Sequence, residues 1–192
     1  MLHIQSSIEI AASLAETFRL LGDAERKARL NPDIKVLNVA QVTDGPLGPG
    51  TRIYYSLETP AGIRNFHCEV VAYEPDRLIE WVSDTQPAFR VRQSLEPTET
   101  GCRLVHDEWL AREVAVPKKT RKWSLFDVAD AFREASDLDT SPAPAAGGGD
   151  EQALLGAMQR SLAVWLGNIK SCLEGPSAET GIDLANLTTV AF

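Results

Sequence analysis

The period of the hydrophobic positions changes three times along the chain. Residues 2–10 alternate weakly between apolar and polar, which predicts a first strand. A helical period follows Ser13, which has capping-box spacing to Glu16. The break at 22–23 separates this helix from a second short helix that ends near residues 31–32, where a proline stops it. The beginning of the chain therefore predicts a strand followed by two short helices.

A period of two returns between Lys35 and Leu110. Short turns that contain glycine, proline or acidic residues divide this region into six runs. The runs lie near 35–43, 51–58, 63–73, 77–84, 88–96 and 102–111. Six successive strands with short turns are typical of an antiparallel meander, and the first strand brings the predicted sheet to seven strands.

The third change, back to a helical period, covers residues 151–173. One face of the predicted helix is apolar: Leu154, Leu155, Met158, Leu162, Trp165, Leu166, Ile169 and Leu173. Polar and small residues occupy the other face, so this is a long amphipathic helix. A strongly curved sheet could bury its apolar stripe against the concave face.

Two segments fit neither period. Residues 112–150 are expected to be an insertion that combines a basic cluster, a short helical stretch near 125–132 and a Pro/Ala/Gly linker at 142–149. Residues 175–192 form a C-terminal tail with no clear element. The length suits one core better than two, so we expect 1–192 to be a single domain.

Three segments resemble a known protein family in their amino-acid sequence. Residues 8–39 (IEIAASLAETFRLLGDAERKARLNPDIKVLNV) look like the opening of the START-like (SRPBCC) superfamily, which includes polyketide cyclases/dehydrases. Residues 45–58 (GPLGPGTRIYYSLE) are similar to its Gly-rich turn, and 66–83 (FHCEVVAYEPDRLIEWVS) to its hairpin with a Glu-Pro turn. The resemblance covers roughly 2–111 and 151–173, and the insertion departs from it.

The resemblance implies an α+β helix-grip fold. In this fold a curved seven-stranded antiparallel sheet wraps around a long C-terminal helix, with two short helices after the first strand. Members of the superfamily include cyclases, lipid carriers and hormone receptors, so the fold alone does not select a function.

Composition and charge argue against several kinds of partner and location. The formal net charge of −8 argues against a nucleic-acid binder, which needs a basic face. No apolar run is long enough for an integral membrane segment. Three cysteines cannot form a disulfide framework, and no signal peptide is evident, so a cytoplasmic location is expected. Neither a cofactor motif nor metal-ligand spacing is present, and nothing specifies the oligomeric state.

Alternation also assigns the strand faces, because successive side chains of a strand point to opposite sides. Charged residues such as Arg92 and Arg103 are placed outside, and the inward set is mostly apolar, with Val70 and Ala72 among its members. A polar subset shares the inward face: Tyr55, Ser83, Gln93, His106 and Glu108. Burying such groups unpaired costs on the order of 1–3 kcal/mol each, so they should pair with each other, with water or with a ligand.

An apolar hollow with a few convergent polar groups is typical of a small-molecule site. The candidate ligand-binding residues are Tyr55, Phe66, Trp81, Ser83, Phe89, Gln93, Leu104, Met158, Leu162 and Trp165. The candidate catalytic residues are His106 and Glu108, which are two apart on one strand face, so that the carboxylate could orient the imidazole tautomer.

Three functions remain open at this point. The first is binding of a hydrophobic or aromatic small molecule between the sheet and the C-terminal helix. The second is a polyketide cyclase/dehydrase-type enzyme, in which His106 or Glu108 moves a proton during aldol closure and loss of water. The third is an interaction module that uses the helical insertion. The enzyme requires His106 and Glu108 deep inside and within reach of one another, whereas the module requires an exposed apolar face on 123–136. For the ligand-binding functions we expect the insertion to close over the cavity as a lid.

Overall fold

The computed structural model describes residues 2–59, 62–85, 88–110 and 148–175. Their elements in chain order are β1 (Leu2–Ile10), α1 (Leu14–Gly22), α2 (Ala24–Arg29), β2 (Lys35–Gln41), β3 (Arg52–Thr59), β4 (Gly62–Glu74), β5 (Leu78–Ser83), β6 (Phe89–Pro97), β7 (Cys102–Leu110) and α3 (Gly148–Glu174). Each of the seven predicted strands, and each helix predicted outside the insertion, is present, with ends that differ by a few residues.

The strands form one antiparallel sheet in the order β1-β7-β6-β5-β4-β3-β2. The segment from β2 to β7 is the predicted meander. β1 does not pair with β2, because α1 and α2 carry the chain across to the opposite edge. β1 instead pairs with β7, in a register that sets Leu2 opposite Leu110 and Ile10 opposite Cys102. The helix-grip prediction is confirmed.

The starts of the two short helices follow from local hydrogen bonds. Ser13 Oγ accepts from the backbone N–H of Glu16 at 3.2 Å, and the Glu16 carboxylate accepts from the backbone N–H of Ser13 at 3.1 Å. This is the predicted capping box, which satisfies two donors that a helix start leaves free. Asp23 caps α2 in the same way, accepting from the backbone N–H of Arg26 at 3.0 Å.

The long helix α3 packs its apolar stripe into the hollow of the sheet. Met158, Leu162, Leu166 and Ile169 are all at most 5% exposed, and Trp165 is half-buried. The predicted stripe is therefore confirmed at these positions. Because α3 closes the hollow from one side, the sheet's inward face and the helix share one hydrophobic core.

One predicted orientation is wrong. The β4–β5 register shifts between Val70 and Ala72, so β4 carries one extra residue there. Such a bulge exchanges the two faces of the strand beyond it. Ala72 consequently pairs with Glu80 away from the core, and Tyr73 packs against the core, with its ring 5.3 Å from that of Phe18.

The predicted insertion lies outside the described residues, except for 148–150, which belong to α3; the tail lies outside them beyond residue 175. The predicted short helix and lid fall in that part and stay predictions. Among the helices of the described ranges, none is both long enough and apolar enough to cross a membrane.

Candidate ligand site

A cavity of about 80 Å³ lies between α2, the concave face of the sheet and α3. Six of the predicted site residues line it: Tyr55, Phe66, Trp81, Phe89, Glu108 and Trp165. The other six do not. His106, Gln93, Leu104, Met158 and Leu162 are buried in the surrounding core. Ser83 closes the end of β5, where its Oγ accepts from the backbone N–H of Phe89 at 2.9 Å.

One wall of the cavity is aromatic. Tyr55 and Phe66 are paired across β3 and β4, and their rings stack with centroids 5.2 Å apart and planes 10° from parallel. The Phe89 ring packs edge-on against the Phe66 ring, with 5.7 Å between the two centroids. Burial raises the pKa of the Tyr55 hydroxyl far above its usual range, so this side chain stays neutral. The wall therefore offers flat apolar surface to a ligand.

Lys27 is the charged residue among the lining residues that the sequence analysis did not predict; the others are Ala24, Ala28, Asn31, Ile34, Leu57, Cys68 and Val91. The Lys27 side chain is buried, and its Nζ donates to Gln93 Oε1 at 3.2 Å. The same ammonium lies 4.5 Å from the centroid of the Trp81 ring, a cation–π contact. Burial lowers the pKa of Lys27 from 10.5 to about 8, although Cys68 and Asp23 partly oppose this shift. The cavity thus contains a cation whose closest partners among the described residues are the Gln93 amide and the Trp81 ring.

The position of Lys27 on α2 explains why it faces inwards. Ala24 and Ala28 are four residues apart, both are buried, and Lys27 lies on the same side of the helix. Trp165 Nε1 donates to the backbone carbonyl of Lys27 at 3.1 Å, which ties α2 to α3. The sequence contains one indication that Lys27 faces inwards, which is this pair of alanines. All other residues of the six-residue helix are charged, so the two alanines mark the side of α2 that packs against the core.

A polar chain continues from Lys27 into the sheet. Gln93 Nε2 lies 3.3 Å from His106 Nδ1, and His106 Nε2 lies 3.7 Å from Glu108 Oε2. Because an ammonium only donates, Lys27 requires Gln93 to present its oxygen on that side and its NH₂ to His106. His106 Nδ1 then accepts, and a neutral imidazole carries its proton on Nε2, toward Glu108. The structure therefore brings His106 and Glu108 together deep in the core.

Lys27 and Glu108, the two ends of this series of polar side chains, both line the cavity, and Glu108 lies on the sheet side. Glu108 is 2% exposed, and burial raises its pKa, while the neighbouring His106 opposes the shift. Its Oε1 has no hydrogen-bond partner among the described residues. An unsatisfied buried carboxyl oxygen is costly, and a ligand or water that donates to it would recover that cost.

Cys68 lies on the cavity wall, and its surroundings shift the pKa of its thiol. Burial raises the pKa of its thiol to about 12, Lys27 opposes the shift, and Asp84 and Glu108 add to it. The thiol is therefore neutral and behaves as a small apolar group. In the ranges that the structure describes, no group of three His, Cys, Asp or Glu side chains is placed to hold a metal ion.

The chain is similar to known proteins in sequence and in fold. The family model described as "Polyketide cyclase / dehydrase and lipid transport" matches residues 1–174. No curated protein matches the chain. Protein NE0264 from Nitrosomonas europaea has a similar structure, with a TM-score of 0.58 and 12% identity over 90% of this chain and 94% of that one. Protein Ms6760 from Mycobacterium smegmatis (TM-score 0.52, 15% identity, 90% of both chains) and Ara h 8.0201 (TM-score 0.53, 12% identity, 90% and 97%) are similar as well. Sequence identities this low show that these proteins share the fold of this chain and nothing further.

Proposed function

Because the chain belongs to the polyketide cyclase/dehydrase and lipid transport family, we propose that it binds a hydrophobic or aromatic small molecule in the cavity between the sheet and α3. The observation that carries the proposal is Glu108 Oε1, a buried carboxyl oxygen that has no partner among the described residues and belongs to a largely apolar cavity. Few precisely placed polar groups on an apolar wall are typical of small-molecule sites.

Native mass spectrometry of the protein purified from its own host tests this proposal. We expect a bound small molecule that dissociates on activation. The variant Ala28→Leu places a larger side chain in the cavity lining and should lose this molecule, whereas Ala163→Leu, on the exposed side of α3, should keep it. Equal occupancy in both variants, or a wild-type protein that carries no ligand, would contradict the proposal.

A second candidate function is catalysis of the cyclase/dehydrase type, and the 3.7 Å approach of His106 Nε2 to Glu108 Oε2 favours it. In that reaction Glu108 would take a proton from the carbon beside a ligand carbonyl, and the resulting enolate would attack a second carbonyl. The alkoxide formed would take this proton back from Glu108. For the loss of water, Glu108 would remove a second proton from the same carbon, the new enolate would expel the hydroxyl group, and that group would leave as water with the proton from Glu108. His106 would hold its Nε2 proton toward Glu108 throughout.

The variant Glu108→Gln separates the two functions. With a poly-β-ketone substrate analogue, catalysis predicts loss of turnover while the affinity stays within a few-fold. If Glu108 only lines the cavity wall, Glu108→Gln should change the ligand affinity or the stability of the protein and nothing else. Full turnover in a variant that combines His106→Ala with Glu108→Gln would reject the catalytic function.

The remaining parts of the proposal concern location and partners. We propose a cytoplasmic location, which the free buried thiols Cys68 and Cys102 support. The net charge of −8 supports a protein without a nucleic-acid partner. The interaction-module hypothesis depends on 123–136, which lies outside the described residues.

A further inference from the structure

Two buried donor groups of the cavity lining, on Lys27 and Trp81, lie close together. Lys27 Nζ carries three N–H groups, and within the described residues Gln93 Oε1 is the acceptor that takes one of them. The Trp81 indole nitrogen is buried beside it and has no acceptor in that same part of the chain. Both residues line the cavity. A ligand oxygen that accepts hydrogen bonds would therefore satisfy donors that this fold buries.

Glu108 Oε1 is a buried acceptor of the cavity that has no partner among the described residues. Gln93 and His106 lie between it and Lys27: the first two contacts of this series measure 3.2 Å and 3.3 Å, and the last, from His106 Nε2 to Glu108 Oε2, measures 3.7 Å and is too long for a hydrogen bond. Lys27 and Glu108 both line this cavity, so a basic and an acidic group already share one apolar space. A charged ligand would bring a further charge into that space at a cost in desolvation, whereas a neutral ligand would not.

The size of the cavity limits the ligand. A water molecule needs about 10–15 Å³ of such space, so 80 Å³ corresponds to roughly six water-sized spheres, the extent of one aromatic ring. The stacked pair of Tyr55 and Phe66 and the edge of Phe89 suit a flat ring.

We propose that the cavity takes a neutral, single-ring aromatic molecule with a carbonyl oxygen that accepts from Lys27 and a hydroxyl group that donates to Glu108. This ligand class rests on the proposed binding function and specifies it. Neither the apolar wall nor the family assignment alone would distinguish such a molecule from a plain hydrocarbon.

Four probes of similar shape test the two contacts separately. They are para-hydroxyacetophenone, which has both groups, para-methylacetophenone, which has the carbonyl alone, para-ethylphenol, which has the hydroxyl alone, and para-ethyltoluene, which has neither. Their affinities are measured by titration of the ¹⁵N-labelled protein in NMR spectra. We expect para-hydroxyacetophenone to bind most tightly and para-ethyltoluene most weakly. This ranking uses the wild-type protein and needs no variant to fold.

The variant Lys27→Met keeps the aliphatic stem and removes the donor. It should weaken binding of the two ketones by about tenfold or more and leave the two ethyl compounds within about twofold. The variant Glu108→Met should do the same to the two phenols. Lys35→Met removes an exposed lysine that pairs with Glu58 outside the cavity, and it should change none of the four affinities.

Three results would overturn the ligand class: equal wild-type affinities for the four probes, a loss in Lys27→Met that is the same for all four, or no binding of any probe. The last result leaves the proposed binding function to be decided by the co-purified molecule, which has its own readout. The two proposals can therefore fail separately.

Discussion

Replacing Lys27 with methionine should remove a pH dependence of stability that the buried ammonium imposes. Burial places the pKa of Lys27 at about 8 in the folded protein, against 10.5 for an ordinary lysine. The unfolded chain therefore binds this proton more tightly than the folded one. It follows that the free energy of unfolding rises as the pH rises from about 8 to 10.5, and that this contribution is lost as the pH falls through 8.

The size of the effect follows from the two pKa values. Their separation corresponds to about 3 kcal/mol, most of which lies between pH 7 and pH 10. Methionine has no charge to bury, but it leaves the Gln93 oxygen without its donor, at a cost of about 1–3 kcal/mol at either pH. The change with pH is therefore a cleaner measure than the stability difference at one pH.

Urea unfolding of both proteins at pH 7 and pH 10 provides the assay. The free energy of unfolding of Lys27→Met, taken relative to that of the wild type, should be about 2–3 kcal/mol more favourable at pH 7 than at pH 10. The Cys68 thiol, whose pKa is raised to about 12, also titrates differently on unfolding, but it does so in both proteins and cancels. Lys35→Met, at an exposed lysine, should show little change between the two pH values. A difference between Lys27→Met and the wild type that stays constant from pH 7 to pH 10 would refute the buried ammonium.

Two further predictions concern the packing around the site, and urea unfolding measures both. Leu162→Ala should cost about 2–5 kcal/mol, because Leu162 is buried and does not line the cavity, while the exposed Val164→Ala should stay within about 0.5 kcal/mol. Gly101→Ala should cost about 1–3 kcal/mol or more, because its Cβ would lie 2.2 Å from the backbone oxygen of Ile10. Gly167→Ala, a helical position with open space, should stabilise by about 0.5–1 kcal/mol. Equal costs within either pair would contradict the packing described.

Strand periodicity predicted much of the site because the bulge in β4 lies beyond the residues of that strand that line the cavity, Phe66 and Cys68. His106 and Glu108 lie on β7, whose register with both neighbours is unbroken, so alternation placed them correctly. In β4 the extra residue reverses the last third of the strand, and nothing in the run from Val70 to Tyr73 marks it. A bulge depends on the neighbouring strand, and a single-strand pattern does not contain that information.

Lys27 could not be predicted in the same way, because its burial depends on tertiary packing. Its helix has six residues, too few for a hydrophobic stripe, and its charged residues are typical of a solvated surface. The side chain is buried because α2 lies over the open hollow, where Trp81 and Gln93 meet the ammonium. These partners come from β5 and β6, more than fifty residues away along the chain.

The pairing of β1 with β7 affects how the chain folds during synthesis. The two strands are about a hundred residues apart in sequence, and the strand next to β1 in the sheet is the last of the seven to be made. Closing so long a segment is entropically costly and slows folding. At about 5–20 residues per second, residues 2–10 wait roughly 5–20 seconds at the ribosome with their backbone groups unpaired. The meander can assemble in that interval, so the cavity is enclosed only after β1 has docked as the last strand and α3 has followed.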